Sequence, residues 1–245
     1  MRISRHSPAK VNLRLRITGR SDNGYHQLSM INAPLAFGDK IEIEISRSNQ
    51  SSIEFSSTSA ARITLDAHFS DPTKNLAVRA AQGFLDLIQV PLRIKIHIDK
   101  EIPLGSGLGG GSSNAATVLV MLRESLRTVC SENVSLQLKL KSPEFNRQLS
   151  EFVLSLGADL PFFMRPQIAW VGGIGEIVRP LNLDLDQVDL FLLLPRVHSN
   201  TAKIYEVFRT AVGSDDLHAD TLFAEGDSAT LAFGLEDARA ELVVN

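Results

Sequence analysis

Residues 92–126 read LRIKIHIDKEIPLGSGLGGGSSNAATVLVMLRESL, and this stretch decides the fold. LRIKIHI at 92–98 alternates apolar and polar side chains, the period of a strand with one wet face. AATVLVMLRESL at 115–126 is an apolar, small-residue run of helical length. Between them lies EIPLGSGLGGGSS at 101–113, so the order is strand, glycine-rich loop, helix. Gly105, Gly107, Gly109, Gly110 and Gly111 crowd the middle of that loop, at a cost in backbone entropy that a plain connector would not incur. Something must approach this backbone closely. Ser112 and Ser113 stand where the helix begins, so unpaired N–H groups, hydroxyls and the positive end of the helix converge, a combination that suits a polyphosphate.

The commoner nucleotide motifs do not fit. A Walker loop needs a lysine before its final Ser or Thr, and no lysine lies between Lys100 and Lys139. GxGxxG matches Gly105, Gly107 and Gly110, but the first strand of a βαβ unit and an acid about 20 residues on are both missing. Phosphate binding survives this comparison better than dinucleotide binding.

Outward from the loop, the first third of the chain reads as strands. VNLRLRI at 11–17 alternates, and KIEIEI at 40–45 repeats the pattern after a turn signal, Phe37-Gly38-Asp39. Two weaker runs follow at 52–56 and 61–65. NLAVRAAQGFLDLIQV at 75–90 has helical spacing, with Leu76, Ala80, Phe84 and Ile88 on one stripe and Pro91 as its stop. Residues 130–149 are polar and irregular around Pro143, and a helix is expected to resume at 149–156 before Gly157. Further strands are expected at 170–175 and 190–194. The tail from 206 on carries nine acidic side chains against Arg209 and Arg239 and reads as a solvated segment. Early strands followed by a glycine-fed helix favour an α+β or mixed α/β fold of two lobes.

Composition narrows the partners. The 245 residues are 44% hydrophobic and 22% charged, enough for one substantial core or two modest ones. Lys plus Arg is 25 and Asp plus Glu 28, so no global field exists to grip a nucleic-acid polymer. Cys130 is the single cysteine, and the six histidines lie scattered without paired spacing, so no metal centre is expected. No apolar run approaches the roughly 18 residues of a membrane-spanning helix. The N-terminus is interrupted by Pro8, Lys10, Asn12 and Arg14, which breaks any secretory apolar region, so the cytoplasm is the expected compartment.

A phosphate cradle becomes a kinase only with groups that orient a hydroxyl and offset charge on the transferring phosphoryl. Lys10, stiffened by Pro8, and Asp159, a lone charge in LGADLPFF at 156–163, are the best candidates. The alternatives are a surface ammonium for Lys10 and a turn cap for Asp159. Asp22-Asn23-Gly24-Tyr25-His26 is a turn signal followed by an aromatic and an imidazole, a place where a planar ligand can stack or simply a hairpin turn. Thr201 and Tyr205 can add a second hydroxyl and ring, and Asn75 caps the helix that follows it.

Together these fragments resemble the small-molecule kinases of the galactokinase, homoserine kinase, mevalonate kinase and phosphomevalonate kinase superfamily. The resemblance rests on PAKVNL at 8–13, ITGRSDNGYH at 17–26, KNLAVRAA at 74–81, IPLGSGLGGGSSNAATVL at 102–119, SLGADLPFF at 155–163 and GGIGEIVRP at 172–180. It is strongest to the branch that phosphorylates a cytidine-bearing methylerythritol alcohol. The resemblance implies a two-lobed α+β fold, with an ATP-binding and catalytic lobe at 1–160 and an alcohol-binding lobe at 161–245. It also implies ATP and Mg2+ as cofactors, a cytidine-bearing alcohol as substrate, no membrane and no nucleic-acid partner, and a monomer or weak homodimer. It puts catalysis on Lys10 and Asp159. The ATP loop falls on Pro103, Leu104, Gly105, Ser106, Gly107, Leu108, Gly109, Gly110, Gly111, Ser112 and Ser113, with Asn75 near the adenosine. Asn12 falls beside the transferred phosphoryl, Tyr25 and Tyr205 stack the cytosine, His26 contacts the base, and Thr201 lines that pocket. After Gly175 only the isolated Gly213, Gly226 and Gly234 occur, so the family's later glycine-and-serine motif is missing and a truncated or divergent second lobe is expected. A poorly active nucleotide-binding homologue and a kinase for another small alcohol stay open as alternatives.

Overall fold

A computed structural model describes residues 1–20, 26–60, 63–185 and 188–193. Its elements in chain order are β1 (Arg2–Arg20), β2 (His26–Arg47), β3 (Ser52–Ser59), α1 (Ala67–Ser70), α2 (Leu76–Ile88) and β4 (Leu92–Lys100). There follow α3 (Gly110–Val129), α4 (Val134–Lys141), α5 (Pro143–Leu156), α6 (Leu160–Phe163), β5 (Ala169–Gly173) and β6 (Ile177–Pro180). The strands form one sheet in the order β3-β4-β2-β5-β6, with β1 also paired to β2. All pairings are antiparallel except β3 with β4. This is a mixed α/β lobe with an open sheet.

Alternation builds the core. In the β2–β4 register Ile41 faces Ile98, Ile43 faces Ile96 and Ile45 faces Ile94, and all six are buried. Helices α2 and α3 cover that face with Ala77, Ala80, Ala81 and Phe84 from one and Ala115, Val118, Leu119 and Leu122 from the other. The opposite face carries charged rungs such as Arg2 with Glu42, 2.6 Å apart, and Lys95 between Glu44 and Glu54. Such exposed pairs keep the open face wet and contribute little to stability.

Two charges break the pattern by joining the apolar side. Lys100 is in phase with Ile94, Ile96 and Ile98, and Asp39 with Ile41, Ile43 and Ile45; their side chains pair at 1% and 0% exposure. Asp39 Oδ1 also accepts from the backbone N–H groups of Glu101 at 2.7 Å and Ile102 at 2.8 Å. Burial pushes the Lys100 ammonium below its usual pKa, and the Asp39 carboxylate opposes that shift.

Several expectations change. Phe37-Gly38-Asp39 is no turn: β2 runs straight through it, with Gly38 opposite Pro8. A Cβ at Gly38 would fall on the Ser7 carbonyl, so the glycine serves close strand approach rather than reversal. Residues 130–149 are not irregular but hold α4 and the start of α5. Asn133 caps α4 by accepting from Leu136 N–H, Ser142 caps α5 by accepting from Phe145 N–H, and Pro143 starts α5 where its missing N–H costs nothing. The weak run at 61–65 shows no strand at 63–65, and 61–62 lie outside the described residues. Residues 190–193 form no strand either; Phe191 and Leu193 are 89% and 90% exposed, and no described strand pairs with them. Leu194 lies outside the described residues. Strand β5 pairs with β2, so residues 169–180 continue the sheet begun by the N-terminus.

Replacing Asp39 with Ala would strand a buried ammonium and two backbone N–H groups. Equilibrium urea unfolding should show a loss of about 3–5 kcal/mol. A loss under about 1 kcal/mol would mean that this pair does not anchor the lobe.

Candidate active site

Strand β1 delivers its side chains to the site through bulges. The β1–β2 register shifts between Pro8 and Lys10 and again between Asn12 and Arg14. Bulges of this kind admit a proline and re-aim the residues beside them. At the first, the Lys10 N–H donates to the carbonyl of Leu108 in the glycine loop, 3.0 Å away. The Lys10 side chain is no surface ammonium: the residue is 4% exposed and its Nζ donates to Asn12 Oδ1 at 3.0 Å.

The loop itself is held in left-handed turns. Gly105, Gly107 and Gly109 have φ of 68°, 74° and 72°, a region open to glycine and costly for other residues. Gly109 is the N-cap of α3, and a Cβ there would lie 2.7 Å from the Phe163 ring and 3.2 Å from Lys10 Cγ. At Gly110 a Cβ would lie 2.9 Å from Lys100 Nζ. Lys10, the loop and α6 therefore meet at one point. Within the loop Leu108 is buried, Ser106 Oγ donates to the Pro103 carbonyl at 2.8 Å, and Leu104 packs on the main core.

The two serines diverge. Ser113 is fully buried and its hydroxyl bonds that of Ser7 at 2.8 Å, while Ser7 Oγ also donates to Asn114 Oδ1. Ser112 is half-buried on the first turn of α3, its Oγ 3.8 Å from where a Gly157 Cβ would be. Ser112 is thus the hydroxyl that faces the turn carrying Asp159.

Asp159 occupies the N-cap position of α6 in αR geometry, half-buried, and its side chain makes no cap hydrogen bond. The turn cap offered by the sequence is therefore not what holds this carboxylate. Its backbone is fixed from both sides: Leu160 N–H donates to the Gly157 carbonyl at 3.2 Å, and the β5–β6 turn at Gly175 packs on Ala158 so closely that no Cβ would fit. Asn75 is 5% exposed; its Oδ1 caps α2 at Ala77 N–H and its Nδ2 donates to the Phe69 carbonyl. His26 opens β2. Tyr25, Thr201 and Tyr205 lie outside the described residues.

Asp39, Lys100, Ser7 and Asn32 escape the sequence reading, although the alternation signals the first two. Among the described residues no three His, Cys, Asp or Glu side chains gather as a metal site, and no helix is long and apolar enough to cross a membrane.

Residues 75–163, which span α2, the glycine loop, α3 and α6, match the model of the GHMP kinases N terminal domain. A 4-diphosphocytidyl-2-C-methyl-D-erythritol kinase of Haemophilus ducreyi is 38% identical over 224 residues, covering 91% of this chain and 71% of the relative. The enzyme of that name from Persephonella marina is 33% identical, covering 89% of this chain and 70% of its own length. The chain belongs to the 4-diphosphocytidyl-2-C-methyl-D-erythritol kinase family. A solved 4-(cytidine 5'-diphospho)-2C-methyl-D-erythritol kinase is likewise similar, with TM-score 0.55 and 33% identity over 74% of this chain and 56% of that one. The chain thus spans about half to seven tenths of the length of these relatives. Members of this family are small-molecule kinases, and the glycine cradle and its neighbours are to be read in that light.

The loop geometry makes opposite predictions for two glycines. Gly109→Ala should destabilise the protein by at least about 1–2 kcal/mol, from its left-handed φ and its collision with Phe163. Gly111→Ala meets only Leu76 at 3.5 Å and should be neutral or stabilising by up to about 1 kcal/mol. Thermal unfolding of both variants checks this, and equal shifts would contradict the geometry.

Proposed function

We propose that this chain transfers the γ-phosphoryl group of ATP to the 2-hydroxyl of 4-diphosphocytidyl-2-C-methyl-D-erythritol, in the non-mevalonate route to isoprenoid precursors. The observation that carries the reading is the meeting of Lys10, the Gly109 turn and the α6 turn of Asp159 at one end of α3.

The first N–H groups of a helix lack intrahelical partners and lie at its positive end, so the start of α3 receives the phosphates of ATP. Ser112 adds its hydroxyl there. Asp159 takes the proton of the 2-hydroxyl as the new O–P bond forms and the bond from the γ-phosphorus to the bridging oxygen breaks, releasing ADP. The ammonium of Lys10 offsets the charge spread over the transferring phosphoryl. Asn12, through its hydrogen bond to Nζ, holds that ammonium on the β1 face turned toward the loop. Asn75 fixes the start of α2 beside the adenosine.

Mg2+ in such sites binds mainly phosphate oxygens and water with one or two protein oxygens, and the Ser112 hydroxyl would supply one of these. When bound, the ion neutralises charge on the phosphates. Tyr25 and Tyr205 stack the cytosine, His26 contacts the base and Thr201 lines its pocket; the support for these four is their place in the sequence.

Asp159→Asn keeps the size of the side chain and removes the base, and turnover with saturating substrates should fall by about 100-fold or more. Binding of a non-hydrolysable ATP analogue should stay within about threefold. Lys10→Met should likewise lose turnover rather than ATP affinity. Turnover within about threefold of the parent in either variant would remove that residue from the mechanism.

A further inference from the structure

Asn32, on β2, is 1% exposed, and neither its Nδ2 nor its Oδ1 has a hydrogen-bond partner among the described residues. Buried carboxamides are paired in nearly all proteins, because an unpaired one forfeits its water without compensation. The surrounding run, MINAPLAF at 30–37, is otherwise apolar, and an aliphatic side chain at this position would carry no such cost.

The register shows where this amide points. Asn32 lies directly opposite Asn12 on β1, and Pro34 opposite Lys10, so Asn32 shares a sheet face with both functional side chains. On its other flank it lies opposite Ala169, which packs with Met30, Phe162 and Phe163. Phe163 in turn abuts Gly109 and belongs to α6, the helix that Asp159 begins. The unpartnered amide thus lies on the sheet face shared by the Lys10–Asn12 pair and the residues that pack on α6, buried beneath the proposed transfer site.

We propose that Asn32 is a substrate-binding residue that recognises the polyol part of the alcohol substrate, pairing with a hydroxyl adjacent to the one that is phosphorylated. A carboxamide offers one donor group and one acceptor oxygen, and a hydroxyl can satisfy either or both. The diphosphate offers only acceptors and would leave Oδ1 facing like charge, so the hydroxyl-bearing carbon chain is the matching part. The inference rests on the substrate assigned under the proposed function and deepens it: the site selects a polyhydroxylated acceptor, and an otherwise destabilising amide is kept for that selection.

The test compares the full substrate with analogues lacking the 1-hydroxyl or the 3-hydroxyl, in the parent chain and in Asn32→Ala and Asn32→Leu. Saturating ATP is used throughout. The parent should lose about tenfold or more in kcat/KM on at least one analogue, as sites with buried polar groups do when their partner is removed. Each folded variant should bind the full substrate about tenfold more weakly, with the KM for ATP within about twofold, and should no longer discriminate against that analogue. A purely structural amide would leave the discrimination intact. Variants that discriminate as the parent does, or a parent that accepts both analogues as well as the full substrate, would overturn the contact alone. A parent that turns over none of the three compounds would overturn the assigned substrate and this inference with it.

Discussion

The site depends on an ion pair buried beneath it. Lys100 ends β4 and Asp39 lies within the neighbouring β2, both on the apolar face of the sheet, and their pairing fixes the chain where β4 passes into the glycine loop. Lys100 lies under the first residue of α3, where a bare ammonium would oppose the positive end of the helix. Asp39 cancels that charge and at the same time takes two loop N–H groups, so the helix start stays positive toward the outside, as the proposed phosphate site requires. A buried pair of this kind adds little net stability against an apolar alternative, and its value lies in fixing one geometry for the loop.

From that anchor the remaining parts follow by contact. The loop returns over β1 and is pinned where the Pro8–Lys10 bulge aims the Lys10 N–H at Leu108. Gly109 then admits Phe163 and Lys10 to the same small volume, which brings the α6 turn within reach of the strand. Burial explains why each is held: Lys10 has one carboxamide partner in Asn12, Ser113 is tied to Ser7, and Asp159 is set by its backbone rather than by bonds to its carboxylate. The groups with satisfied partners form the frame. Asp159, Ser112 and Asn32 are the groups proposed above to meet the ligand.

Much of this was legible from residue order. The period of two in LRIKIHIDK and KIEIEI sets the sheet, and its extension by one step in each strand already places Lys100 and Asp39 inside. The glycine density and the serines after it mark the start of α3. What misled the reading was chemistry with two meanings. Gly38 and Asp39 look like a turn and are a close strand contact beside a buried ion; Pro143 looks like a breaker and is a helix start. Asn32 gives no local signal, because its meaning comes from Asn12 and Ala169 across the sheet, and pairing over such distances is not written in any short window.

The central claim is that the start of α3, and not another face of the sheet, receives the nucleotide phosphates. Backbone amide chemical shifts recorded while a non-hydrolysable ATP analogue is titrated with Mg2+ test this directly. The account predicts the largest changes at Gly109, Gly110, Gly111 and Ser112, with smaller ones at Lys10 and Asp159. Changes concentrated on the charged face around Glu42, Lys95 and His97, with the loop amides unmoved, would contradict it.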